Sequence, residues 1–172
     1  MQPLNFPESY HFEMRISDRK QEILDPIRQQ FVSLTPEEWV RQNLVQFLKT
    51  DLGYPNGLIR IEQTIKLDKK TYRADFIVHK KNGQPILLGE CKEPETKINQ
   101  RAFDQIANYN RALNCKYLLV SNGLKHYCYS IDLQGDSHRF LPQIPNYSDL
   151  LVLLRYWVSF SIILGQLFIY VN

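Results

Sequence analysis

A chain of 172 residues, 44% hydrophobic and 12% aromatic, is long enough to bury one ordinary core and favours a single folded domain. A net charge of +3 and a pI near 8.7 permit a polyanionic partner but fall far short of an architectural nucleic-acid binder. Three cysteines without CxxC spacing, four scattered histidines and no GxxxxGK[ST] or GxGxxG motif argue against structural zinc, a histidine metal centre and a nucleotide-driven motor.

The first 34 residues are mixed, with a strand-like YHFEMRIS and an extended ILDPIRQQFVSL in which Pro26 opposes a long helix. Helix signals then sharpen. Thr35 is an N-cap, Pro36 fits the first helical position, and Glu38 stands where a capping box needs an acid. Trp39, Leu44, Phe47 and Leu48 form an apolar stripe, and Gly53 stops the helix after about Leu52. Three strands are predicted next, over 58–67, 72–79 and 86–92, with Asn82-Gly83 as a hairpin turn and Pro94 closing the third. A helix follows from about Ile98 to Leu113, with Asn114 as its stop. Strands at 117–121 and 124–132 flank Asn122-Gly123. This order predicts an α/β sandwich with a mixed sheet. The chain ends in LLVLLRYWVSFSIILGQLFIYV, residues 150–171, where Arg155 is the single charge and the length suffices for a membrane span. It reads as a membrane anchor, as a buried or oligomer-forming element, or as a stretch foreign to the domain, as after a reading-frame change.

The charges within the central hairpin carry the chemistry. A two-residue Asn82-Gly83 turn sets Lys81 against Gln84 and Asp75 against Glu90, with Lys92 on the same face. Arg73, Ile77, Ile86 and Leu88 share that face, and Ala74, Phe76, Val78, Leu87 and Cys91 share the other. Two facing carboxylates repel unless a cation lies between them. Oxygen ligands of this kind suit Mg²⁺ or Mn²⁺, ions that commonly work on phosphates. The competing reading is a salt-bridged face in which Lys92 or Arg73 pairs with the acids. Between Arg60 and Arg101 there are ten Lys/Arg against six Asp/Glu, which hints at a phosphate-facing surface and equally fits a solvated one.

Asp75 followed by Glu90-Cys91-Lys92 resembles the PD-(D/E)xK nuclease superfamily, with Ala74 where the motif has proline. LTPEEWVRQ, YRADFIV, LLGECKEP, FDQIANYN and YLLVSNG, in that order, resemble more closely the N-terminal nuclease domain of the R subunit (HsdR) of type I restriction enzymes, over roughly residues 10–150. The resemblance implies a restriction-endonuclease-like α/β/α core with a central mixed β-sheet flanked by helices. It carries over Asp75 and Glu90 as metal ligands for Mg²⁺, with Mn²⁺ as an alternative, and Lys92 as the catalytic lysine. Glu38 corresponds to a first-helix acid that reaches the metal through water, with Glu37 competing for the role and a simple capping function for Glu38 as the alternative. Gln105 and Tyr109 match a QxxxY helix motif and share a face four residues apart; the alternative for them is a polar helix flank.

The expectation is a nuclease-like domain over 1–149, followed by the apolar tail 150–172. Its activity would be Mg-dependent endonucleolytic hydrolysis of DNA, with Lys69, Lys70, Arg73, Lys97 and Arg101 as backbone-contacting cations. DNA and subunits of a restriction system are the expected partners, and with no signal peptide visible the expected location is cytoplasmic, anchored to a membrane if the tail inserts. The alternative is a non-catalytic module that binds nucleic acid or a partner. A further alternative is a component active only within a larger assembly. No helicase motor, methyltransferase or target-recognition region is visible in the chain.

Overall fold

The computed structural model describes residues 1–68, 70–131 and 138–152. An N-terminal antiparallel sheet comes first, with β1 (Met14–Ser17), β2 (Lys20–Asp25) and β3 (Gln30–Ser33) in that order. Pro26 falls in the turn between β2 and β3, where its missing N–H costs the ladder nothing. Helix α1 (Pro36–Thr50) starts as its sequence dictates, the Thr35 hydroxyl accepting from the Glu38 N–H at 3.1 Å. The reciprocal half of the capping box is not made, because the Glu38 carboxylate turns instead to Arg41 and Gln42.

The main sheet runs β4 (Ile59–Leu67), β5 (Lys70–His79), β6 (Pro85–Cys91), β7 (Tyr117–Ser121), β8 (His126–Ile131) and β9 (His138–Phe140) in spatial order. All neighbours are antiparallel except β6 and β7, which the intervening helix α2 (Gln100–Leu113) makes parallel. The sheet is therefore mixed, as expected. One face packs on Val40, Leu44 and Leu48 of α1 through Phe76, Val78, Leu87 and Leu119. The other packs on Ala102 and Ile106 of α2 through Ile77, Leu88, Leu118 and Val120. Each fully buried Leu, Ile or Phe contributes about 1.5–3 kcal/mol of transfer free energy, so both helices are held chiefly by these stripes. Asn114 ends α2 in the left-handed conformation (φ 52°), its N–H bonded to the Asn110 carbonyl.

The hairpin differs from expectation at its tip. Gly83 N–H donates to the Lys80 carbonyl and Lys80 N–H to the Gln84 carbonyl, so the loop is three residues, with Gly83 at φ 83° and neither Lys81 nor Asn82 at positive φ. A two-residue type I′ turn would need positive φ at both Asn82 and Gly83, and only Gly83 adopts it. The longer loop pairs His79 with Pro85, one place off the expected register. A bulge at Ile86 then restores it, and Val78–Leu87, Ile77–Leu88 and Phe76–Gly89 pair as predicted. The bulge moves Ile86 to the α1 side of the sheet, away from Ile77 and Leu88, and Ala74 joins the α2-side cluster instead of Phe76 and Val78.

Residues 147–152 are helical, and Tyr147 and Leu150 lie in the core on the α1 side. No helix among the described residues is long and apolar enough to cross a membrane. The expected anchor falls almost wholly on residues 153–172, outside the described residues.

Candidate active site

Asp75 and Glu90 stand at the end of neighbouring strands β5 and β6 remote from the hairpin tip, but not on one face as expected. Glu90 faces α2, whereas Asp75, next to Ala74 of the α2-side cluster, opens on the cleft lined by the first turn of α1. The faces differ because β5 does not keep simple alternation between Ala74 and Phe76. The fit is close because residue 89 is glycine. A Cβ at Gly89 would lie 2.0 Å from the Phe76 ring, its cross-strand partner. The Cys91 N–H donates to Asp75 Oδ2 at 2.5 Å, fixing that carboxylate against the end of β6. Lys92 leaves the strand with its own N–H donating to the Ser121 carbonyl of β7, at 2.8 Å. Its ammonium reaches back to Glu90 Oε1 at 2.7 Å.

Helix α2 supplies the other wall. Gln105 Nε2 donates to Glu90 Oε1 at 2.5 Å and to the Tyr109 hydroxyl at 2.8 Å, while Gln105 Oε1 accepts from Lys92 Nζ at 3.5 Å. Tyr109 in turn packs on Tyr72, with ring centroids 4.9 Å apart. Glu90, Lys92, Gln105 and Tyr109 are thus one hydrogen-bonded group, on which Asp75 acts through its charge. Residues four apart on a helix share a face, which is why both α2 side chains arrive together.

The electrostatics are those of two acids sharing a confined space. Burial and then the charge of Glu90 push the Asp75 pKa up to about 7, against the pull of the Cys91 N–H. Glu90 is raised by burial as well, although Lys92 opposes the shift. Burial alone would lower the Lys92 pKa, but the hydrogen bond and charge of Glu90 outweigh it and hold the ammonium above its usual value. Burial and the nearby Glu90 charge also raise the Tyr109 hydroxyl.

The first turn of α1 offers two acids with different surroundings. Glu38 is buried in an ion network, paired with Arg41, accepting from Gln42 at 2.7 Å, and 3.7 Å from Arg28. Glu37 is exposed, and its charge acts on Asp75, Glu90 and Lys92. Both line a cleft of about 440 Å³ with Asp75, Arg28, Glu62 and Arg73. Among the described residues no three His, Cys, Asp or Glu side chains form a ready ligand cluster. Asp75 and Glu90 are a pair, with Glu37 as a more distant third charge.

The predicted backbone-contacting cations do not gather in one place. Arg73 lines the cleft beside Asp75 and lies 3.7 Å from Glu62. Lys70 sits in a separate hollow with Arg111 and Tyr72. Lys97 and Arg101 are exposed on the approach to α2 and in its first turn. Lys69 lies outside the described residues. Arg28 and Arg41, which the sequence reading passed over, instead organise the cleft wall, both paired with Asp25 and with Glu38. The spacings Asp25–Arg28 and Glu38–Arg41 are local, but only the tertiary meeting of the turn after β2 with α1 joins the two pairs into one network.

No curated protein matches the chain significantly. Among solved structures, a fragment assigned to the HsdR subunit of a type I restriction enzyme from Vibrio vulnificus superposes with a TM-score of 0.53 at 22% identity, over 70% of this chain. At that identity the likeness establishes the fold, and the chain spans only 25% of that longer one. The sequence itself matches the family described as the type I restriction enzyme R protein N terminus over residues 36–145, more than half its length, and it is to this family that the chain belongs.

Proposed function

We propose that this domain hydrolyses phosphodiester bonds of DNA in a divalent-metal-dependent reaction, as the nuclease element of a restriction-type system. The observation that carries the reading is the Asp75–Glu90 pair. Two acids are held together against burial and mutual repulsion, with a lysine paired to one of them. Their oxygens and the open cleft beside Asp75 suit a hard cation that takes its remaining ligands from water and phosphate. Mg²⁺ or Mn²⁺ bound there would supply Lewis acidity and a lowered pKa for a coordinated water.

The chain's own residues have the following tasks in this reading. Asp75 and Glu90 provide the negative charge that retains the cation, and the Cys91 N–H and Gln105 amide fix their orientation. Lys92 is held charged, which suits it to stabilise the extra negative charge of a phosphorane-like transition state rather than to remove a proton. Glu37, exposed on the cleft, is better placed than Glu38 to hold water, since Glu38 is committed to Arg41 and Gln42. Tyr109 and Gln105 keep Glu90 and Lys92 in register. DNA and restriction-system subunits are the proposed partners. A non-catalytic binding role finds support in one feature, the direct Glu90–Lys92 ion pair, which neutralises Glu90 without any metal.

The test is cleavage of supercoiled plasmid and single-stranded DNA by the full chain in Mg²⁺, Mn²⁺ or EDTA, beside Asp75→Ala and Lys92→Ala. Metal-dependent nicking that falls at least 100-fold in both variants is the expected result. A wild-type protein that neither cuts DNA nor binds metal by calorimetry overturns the catalytic reading.

A further inference from the structure

At the opposite end of the β5–β6 hairpin from Asp75, the hairpin tip and edge strand β4 enclose an open groove of about 460 Å³. Its wall carries Arg60, His79, Lys80 and Lys81, and no carboxylate. Around the cleft at Asp75 the cations Arg28, Arg41, Arg73 and Lys92 are each paired with an acid. Arg60 instead donates to the carbonyls of Gly57 and Ile59, at 2.9 and 3.1 Å, and Lys80 to the Gln84 side-chain oxygen at 3.0 Å. These contacts orient the positive groups without neutralising them. Burial, and after it the Arg60 charge, lower the His79 pKa, so the ring already registers the surplus.

The groove also has a direction. It ends at Gln63, whose Oε1 is buried with no donor among the described residues. Gln63 pairs across the sheet with Ala74, the residue before Asp75. From His79 back to Asp75 is four residues of strand, about 13 Å. A ligand suited to this track carries repeated negative charge along its length, as a nucleic-acid strand does in its phosphates.

We propose that this groove is a second backbone-binding site, which grips a nucleic-acid strand several nucleotides from the phosphate that lies at Asp75 and Glu90. The inference rests on the hydrolytic reading above for what occupies the site at Asp75. It adds a sequence-independent hold on the strand, supplied by Arg60, Lys80 and Lys81.

The experiment is fluorescence anisotropy of a labelled 20-nucleotide single strand with the full chain, in EDTA so that nothing is cut, across a salt series. The triple variant Arg60→Ser, Lys80→Ser, Lys81→Ser is compared with wild type and with a charge-matched control, Lys20→Ser, Lys49→Ser, Lys125→Ser. The groove variant is expected to bind about 10-fold or more weakly. Its log–log salt slope should be shallower by about 2, from three lost phosphate contacts at about 0.7 each. Arg60→Lys alone should keep most of the affinity, and circular dichroism should match wild type because none of the three side chains belongs to the core. Binding by the groove variant equal to wild type, or a loss no larger than the control's, overturns the proposal. So does displacement of the strand by polyglutamate at equal charge concentration, which would mark an acidic protein partner. Groove-dependent binding by a wild type that never cuts refutes the hydrolytic reading and keeps the groove. Normal cutting with groove-independent binding refutes the groove alone.

Discussion

Asp75 ionises against two opponents, the partly closed wall of the cleft and the charge of Glu90. Its folded pKa of about 7 lies above the 3.8 of an ordinary aspartate, so the folded protein keeps a proton that the unfolded chain releases between pH 4 and 7. The stability tied to that proton is fully present below pH 4 and is lost as pH rises through 7. Asp75→Asn removes the charge at nearly constant shape. It should therefore raise unfolding free energy at pH 7.5 by on the order of 2–3 kcal/mol, discounted from the full shift because the two acids titrate together, and leave it unchanged at pH 4. Urea unfolding at the two pH values checks this. Mg²⁺ should raise the wild-type melting temperature and leave that of Asp75→Asn unmoved, a reversal in which the more stable protein is the one that ignores the ion. The nearness of Asp75, Glu90 and Lys92 was legible in the sequence because hairpin pairing needs only counting. The single shared face was not, since β5 departs from simple alternation at Asp75 and turns it to the α1-side cleft. The contrast between Glu37 and Glu38 was not legible either. Adjacent helical residues point about 100° apart, and which one faces the cleft depends on how α1 is rotated by its core contacts. Arg41, three residues on in the same helix, was already readable as a partner of Glu38, whereas Arg28 reaches it only once the turn after β2 meets α1.

At the scale of the elements, boundaries came close to expectation wherever one residue type decides them, as at Thr35, Gly53 and Asn114. The β5–β6 tip did not. Asn-Gly serves a two-residue turn and the end of a three-residue loop equally well, and the choice between them lies in the dihedrals of Lys81, which the dipeptide does not dictate. The register from Val78 to Phe76 nevertheless matches expectation, because the longer loop and the bulge at Ile86 displace the strands by one residue in opposite senses. The pairing ends at Phe76–Gly89 and does not extend to Asp75 and Glu90. Gly89 is the element-level requirement that the sequence left unexplained. Its missing side chain is the space into which the buried Phe76 ring fits. Gly89→Ala forces the ring, or strand β6, to move, and should cost about 3 kcal/mol or more in chemical denaturation. The companion Gly89→Ala, Phe76→Leu should recover part of that loss, since the smaller side chain vacates the clash.

For the whole molecule, the N-terminal sheet is fastened to the sandwich by an ion network as well as by apolar contacts, with Ile23 fully buried and Ile27 packed on the α1-side core. Buried Asp25 accepts from the Ile27 and Arg28 N–H groups and from the side chains of Arg28 and Arg41, and Arg28 continues to Glu62 of β4 at 2.7 Å. Burial works against the Asp25 carboxylate, yet these donors hold its pKa below the usual range. At the other end the core reaches past residue 149, because Leu150 is fully buried beside Ile144 and Tyr147. A chain cut after Asp149 should be less stable than one cut after Val152 by about 3 kcal/mol, the worth of a buried leucine, measured by the shift in urea midpoint. The single parallel pairing, β6 with β7, sets the order in which the parts can mature. Asp75 and Glu90 sit on a local hairpin, but Leu87 meets Tyr117, thirty positions onward, and Lys92 is tied down only when Ser121 is in place. Such distant pairings close late in folding. A nascent chain halted on the ribosome before Ser121 would carry Asp75, Glu90 and Lys92 while lacking the geometry that orients them.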